Sequence, residues 1–125
     1  MMVRVAALAF ASLLAGCDAA RSDAVHARVE FAGPQGGARL ADLSLIVGGD
    51  KVGWPELAPG ESKRANLLPG PRDDRQPILL YRQGEHKRVW EGPAMPAGAG
   101  YRIVIRIEAD GTVSARHCLS PCSLE

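Results

Sequence analysis

In the stretch Tyr101-Arg102-Ile103-Val104-Ile105-Arg106-Ile107-Glu108-Ala109-Asp110-Gly111-Thr112-Val113-Ser114-Ala115-Arg116, apolar residues recur at every second position. Tyr101, Ile103, Ile105 and Ile107 share one side of an extended chain. Arg102, Val104, Arg106 and Glu108 share the other, so one face is apolar and one mostly charged. Asp110-Gly111 turns the chain back. A two-residue loop there would set Ile107 against Ser114 and Glu108 against Val113, polar against apolar on both faces. A three-residue loop, Ala109-Asp110-Gly111 with Gly111 at positive φ, pairs Ile107 with Val113, Ile105 with Ala115 and Arg106 with Ser114 instead. Register follows the buried face, so the three-residue loop with its glycine bulge is expected.

The same grammar runs backwards through the chain. Short apolar runs alternate with turn signals from Arg28 onward: Arg28–Phe31, Leu43–Val47, Lys51–Trp54, Lys63–Leu68, Ile78–Tyr81 and Arg88–Trp90. Between them lie Pro34–Gly37, Gly48-Gly49-Asp50, Leu57-Ala58-Pro59-Gly60-Glu61-Ser62 and a turn near Gln83-Gly84. The Pro-rich, charged stretch Pro69–Pro77 reads as a surface loop, and Gly92–Gly100 as a looser one. The chain holds 14 Gly and 9 Pro, and after Gly33 no stretch free of both exceeds ten residues, which leaves little room for helices. Seven to eight short strands in this spacing predict an all-β, antiparallel β-sandwich. Five aromatics, Phe31, Trp54, Tyr81, Trp90 and Tyr101, are expected to build a modest core.

The first residues have a different character. Arg4 precedes the apolar run Val5–Leu14, which as a helix would span only about 15 Å, roughly half a bilayer core. The run ends in Leu14-Ala15-Gly16-Cys17, with small residues just before the expected cut between Gly16 and Cys17. Charge, apolar core, small residues and Cys in this order resemble the type II signal peptide and lipobox of bacterial lipoproteins. An ordinary secretory signal that happens to contain a Cys is the alternative. The lipoprotein resemblance implies a thioether-linked diacylglycerol on Cys17, cleavage before Cys17 and further acylation of the new α-amine, so that two or three chains hold the protein stably on a membrane. Asp18, next to the lipidated Cys, resembles an inner-membrane retention signal, which favours the inner over the outer membrane.

Removing the first 16 of 125 residues leaves 109, and takes Arg4 with it, leaving 14 basic against 14 acidic side chains. That suits one small domain. It excludes a generic polyanion binder, because nucleic-acid modules carry a clear basic excess. The expected organisation is a signal peptide over 1–16, lipidated Cys17 and a flexible tether over 17–27, a sandwich over 28–118 and a tail over 119–125. The strand spacing and the Leu57–Ser62 turn resemble the immunoglobulin-like or fibronectin-like sandwiches of bacterial envelope proteins.

Few residues suggest chemistry. Cys118-Leu119-Ser120-Pro121-Cys122 leaves an even pair of cysteines once Cys17 is lipidated, and an oxidising compartment favours a disulfide that closes the tail. A redox role would need a helix N-terminus or a nearby cation to depress a thiol pKa, and a Cys pair after a strand has no such helix. His117 beside the pair raises a rival reading, a ligand- or metal-binding module of His117, Cys118 and Cys122. Strand alternation opposes it, because His117 and Cys118 point to opposite faces. Arg72-Asp73-Asp74-Arg75 offers adjacent carboxylates that could seed a Ca²⁺ site or an acid/base pair, against the plainer reading of a solvated loop. Arg102, Arg106 and Arg116 share an outward face, with Arg82, Lys87 and Arg88 near in sequence. They read either as a basic patch for an anionic partner or as a solvated face balanced by Glu85, Glu91 and Glu108.

His26, His86 and His117 have no serine motif beside them, and no phosphate-loop or zinc-protease motif occurs. No catalytic residue, cofactor or resident metal is expected. The sequence thus points to a non-enzymatic lipoprotein facing the periplasm, with a structural or interaction role, an envelope protein as partner, and no nucleic acid.

Overall fold

The computed structural model describes residues 23–124. Gly16, Cys17 and Asp18, and with them the expected signal peptide and lipidation site, lie outside the described residues. Eight strands follow in order: β1 (Val25–Ala32), β2 (Leu40–Val47), β3 (Asp50–Leu57), β4 (Ser62–Leu67), β5 (Pro77–Gln83), β6 (His86–Glu91), β7 (Tyr101–Glu108) and β8 (Val113–Leu119). They form two four-stranded sheets, ordered β4-β1-β7-β8 and β3-β2-β5-β6. The all-β sandwich is thus as expected, with a strand order of its own.

The inward positions of both sheets meet in one core. Val25, Val29 and Phe31 of β1 and Tyr101, Ile103, Ile105 and Ile107 of β7 face Leu43, Leu45 and Val47 of β2 and Leu79 and Tyr81 of β5. Trp54, Trp90 and Met95 pack against its margin. Among the described residues every strand and core side chain lies between Ala24 and Leu119, within one folded unit.

The closing hairpin has the register that burial demands: Ile107 faces Val113, Ile105 faces Ala115 and Arg106 faces Ser114. Gly111 has φ 92°, its N–H donates to the Glu108 carbonyl at 3.0 Å, and the Glu108 N–H donates to the Thr112 carbonyl at 2.8 Å. This is the three-residue loop.

Three expectations need correction. The sheet is not wholly antiparallel, because β1 runs parallel to β7 from Val25↔Tyr101 to Ala32↔Glu108. Parallel neighbours need a long crossover, and here β2 to β6, the second sheet together with β4, supply it. The tether does not reach residue 27: Ala24, Val25 and Ala27 are buried and β1 begins at Val25. Val25, Ala27, Val29 and Phe31 alternate inward, but the small alanine marks this apolar face weakly. Finally, Pro69–Pro77 is not simply solvated, because Arg75 within it is fully buried.

Candidate functional site

The outward face of the sheet β4-β1-β7-β8 follows from its register. Asn66, His26, Arg102 and Cys118 form one row across the four strands; Arg64, Arg28, Val104 and Arg116 form the next; Ser62, Glu30, Arg106 and Ser114 form the third. Glu108 lies one row further along β7. Arg28, Arg64, Arg102, Arg106 and Arg116 therefore share this face with Glu30 and Glu108.

Only part of this cluster is legible in the sequence. Arg102, Arg106 and Arg116 do lie together, and Arg28 and Arg64 join them from β1 and β4, which only the long-range pairing could reveal. Arg82, Lys87, Arg88 and Glu91 lie on the other sheet and Glu85 in its β5–β6 turn, so these two carboxylates do not balance this face. Arg82 is occupied there, 3.0 Å from Asp42 Oδ2.

The charges divide along the face. At one end Arg106 Nε lies 2.8 Å from Glu108 Oε1 and its Nη1 3.4 Å from Glu30 Oε1. The Glu108 hydrogen bond, more than the other contacts, raises the Arg106 pKa above its ordinary value. At the other end sits a depression of about 380 Å³, lined by Arg28, Arg64, Arg102, His26, Asn66 and Leu124 among others. Arg64 and Arg102 have no hydrogen-bond or ion-pair partner among the described residues. Arg28 Nε is buried, 3.5 Å from Glu30 Oε2, and makes no hydrogen bond. His26 Nδ1 donates to Asn66 Oδ1 at 2.7 Å, which orients both side chains on the floor. Val104 points outward yet is only 6% exposed. Its cross-strand neighbours Arg28 and Arg116 flank it, and their aliphatic stems give it cover. The site is a cradle of guanidinium groups, suited to a phosphate or carboxylate.

Cys118 and Cys122 are joined in a disulfide, with Cα atoms 6.3 Å apart. Cys118 lies opposite Arg102 on the outward face, whereas His117 lies opposite Ile103 on the inward side. The structure therefore does not bring His117, Cys118 and Cys122 together as a ligand set. No group of three or more metal-ligating side chains gathers among the described residues. The bridge instead folds the tail over the outward face, where Leu124 walls the arginine depression.

The acidic pair is structural. Asp73 Oδ2 accepts N–H groups from Gly49 at 3.1 Å and Gly70 at 2.8 Å, and Asp74 Oδ1 accepts that of Gln76 at 3.1 Å. Asp73 thereby ties its loop to the β2–β3 hairpin. The fit is close at Gly48, with φ 62°, where a Cβ would stand 2.8 Å from both Asp73 Cβ and Pro69 Cβ.

The outward face of the other sheet is apolar at its centre, where Ile46, Ile78 and Leu80 are half-buried and Val89 is 64% exposed.

No protein-family model and no curated protein matches the chain. Among solved structures, it is similar to an NMR structure of a protein from Eubacterium rectale, at 10% identity and a TM-score of 0.49, over 86% of this chain and 97% of that one. It is also similar to the crystal structure of the cytotoxin protein suilysin from Streptococcus suis, at 14% identity and a TM-score of 0.41, over 82% of this chain and 24% of that one. Both likenesses are loose, and neither bears on what this chain does.

Proposed function

We propose that the protein is a membrane-anchored lipoprotein facing the periplasm, whose sandwich has a structural or interaction role in the cell envelope rather than a catalytic one. The observation that carries this reading is Leu14-Ala15-Gly16-Cys17 behind a short charged and apolar leader. The thiol of Cys17 would take the diacylglycerol, and Asp18 favours retention at the inner membrane. The arginine face supports a binding role, since at one end Arg64 and Arg102 have no ion-pair partner among the described residues. A disulfide in the tail suits an oxidising compartment.

Metabolic labelling with a fatty acid tests the anchor. The wild-type chain should take up label and stay with membranes, and Cys17→Ser should lose both, because serine has no thiol to form the thioether. Label retained on the Cys17→Ser chain refutes the lipoprotein reading.

A further inference from the structure

The arginine depression lies where the chain enters the fold. His26, Ala27 and Arg28 line it, and they are the second to fourth residues of β1. Across the sheet, Arg102 is the second residue of β7 and Asn66 the penultimate residue of β4. The entry point is itself held: the buried Arg75 donates from Nη1 to the Asp23 carbonyl at 3.3 Å and from Nη2 to the Gly70 carbonyl at 3.4 Å. An anchor at Cys17 would leave seven residues, 18–24, before β1. They reach at most about 23 Å, at about 3.3 Å each. This end of the sandwich is therefore the one that an anchored molecule presents to its own membrane.

The chemistry of the depression fits what lies there. Arg64 and Arg102 are unpaired among the described residues, Arg28 Nε is buried with a 3.5 Å ion pair to Glu30 Oε2 but no hydrogen bond, and Asn66 and His26 add polar edges. Planar guanidinium forks match the oxygens of a phosphate group, and an unsatisfied buried donor gains most from such an acceptor. Leu124 supplies an apolar wall, which suits a ligand that is a phosphate at one end and carbon beyond it.

Resting on the lipoprotein reading for its source of ligand, we infer that this depression binds the headgroup phosphate of an anionic phospholipid in the membrane that carries the anchor. The acyl chains then set the distance, and the arginines set the orientation of the sandwich.

The test uses residues 18–125, which carry every strand and core side chain of the described residues and no acyl group, with two kinds of vesicle: phosphatidylcholine alone, and phosphatidylcholine containing phosphatidylglycerol. The protein should bind the anionic vesicles and leave the neutral ones. Each arginine near an anionic surface is worth about fivefold in affinity, so Arg64→Gln with Arg102→Gln should weaken binding by roughly 25-fold. Arg82→Gln with Lys87→Gln removes the same charge from the other sheet and should change it far less. Thermal unfolding of both variants checks that neither has lost the fold. Equal losses in the two pairs, or no preference for anionic vesicles, overturn the inference. Titration with inorganic phosphate gives the other source, and saturable binding of it with no gain from a vesicle overturns the membrane assignment. A fatty-acid label on Cys17 is read separately, so the anchor can stand while the headgroup site falls, and the reverse.

Discussion

Tyr101 shows how one residue ties the fold to the end that carries the site. Its side chain is fully buried, and its hydroxyl donates to the Arg75 carbonyl at 2.9 Å, holding the loop whose guanidinium in turn grips the chain entry. Burial, more than the opposing charge of Arg75, pushes the phenol from 10.0 up to about 12. A folded value above the unfolded one means that the protonated form is favoured in the fold. That contribution is complete below about pH 10 and is lost as pH rises towards about 12, where the unfolded chain has released the proton and the folded one still holds it. Urea unfolding across this range should show stability falling by about 2 kcal/mol more in the wild type than in Tyr101→Phe. Near neutral pH the same substitution should cost about 1 kcal/mol, the value of one buried hydrogen bond. Tyr81, also raised by burial, leaves a residual slope in the variant. Identical alkaline slopes in the two proteins would show that Tyr101 is not the titrating group.

Among the elements, the β7–β8 hairpin carries the sharpest claim, because its register sends Ile105 into the core and Arg106 outward. Ile105 is fully buried at the centre of a strand paired on both sides. Ile105→Ala should therefore cost about 2–5 kcal/mol. Arg106→Ala should cost less than about 1 kcal/mol, because its ion pairs with Glu108 and Glu30 lie on the solvent-facing side of the sheet. Denaturant melts rank the two, and the reverse order would mean a register one residue out. This hairpin was legible in the sequence because lengthening its loop from two residues to three moves the register by one, and only the longer loop sets Ile105 and Ile107 against apolar partners. Other elements lacked such a signal. The start of β1 is written in alanine, whose small side chain marks a buried position weakly. β2 begins at Leu40, ahead of a bulge between Ala41 and Ser44 in which Asp42 takes φ 53°, and an interrupted alternation hides a strand. The outward cluster of arginines was half legible. The residues of one hairpin were visible together, but Arg28 and Arg64 join them through the parallel β1–β7 and antiparallel β1–β4 pairings, which no local pattern encodes.

At the scale of the whole molecule, the sandwich has two unlike ends. At one, the tips of the β5–β6 and β7–β8 hairpins meet across the sheets, where Gln83 Nε2 donates to the Ala109 carbonyl at 3.0 Å. At the other, the chain entry, the Arg75 loop and the disulfide-closed tail converge, and the Ser120 N–H donates to the Gly100 carbonyl at 3.1 Å. The core lies between these ends and does not depend on the tail, since its buried members stop at Ile107. The bridge spans a sequence separation of 4, so the chain entropy that it removes from the unfolded state is small. Replacing Cys118 and Cys122 together by serine should therefore lower stability by about 2 kcal/mol at most. The arginine depression should suffer more, because the bridge holds the tail whose Leu124 walls it. Binding to anionic vesicles should fall several-fold in the double variant while the unfolding transition stays cooperative. Mass spectrometry of the unreduced wild type should find one intramolecular bridge and no free thiol at these positions. A collapse of the fold in the double variant would make the tail part of the core, and unchanged vesicle binding would remove Leu124 from the site. The two measurements together thus separate what holds this sandwich up from what it presents.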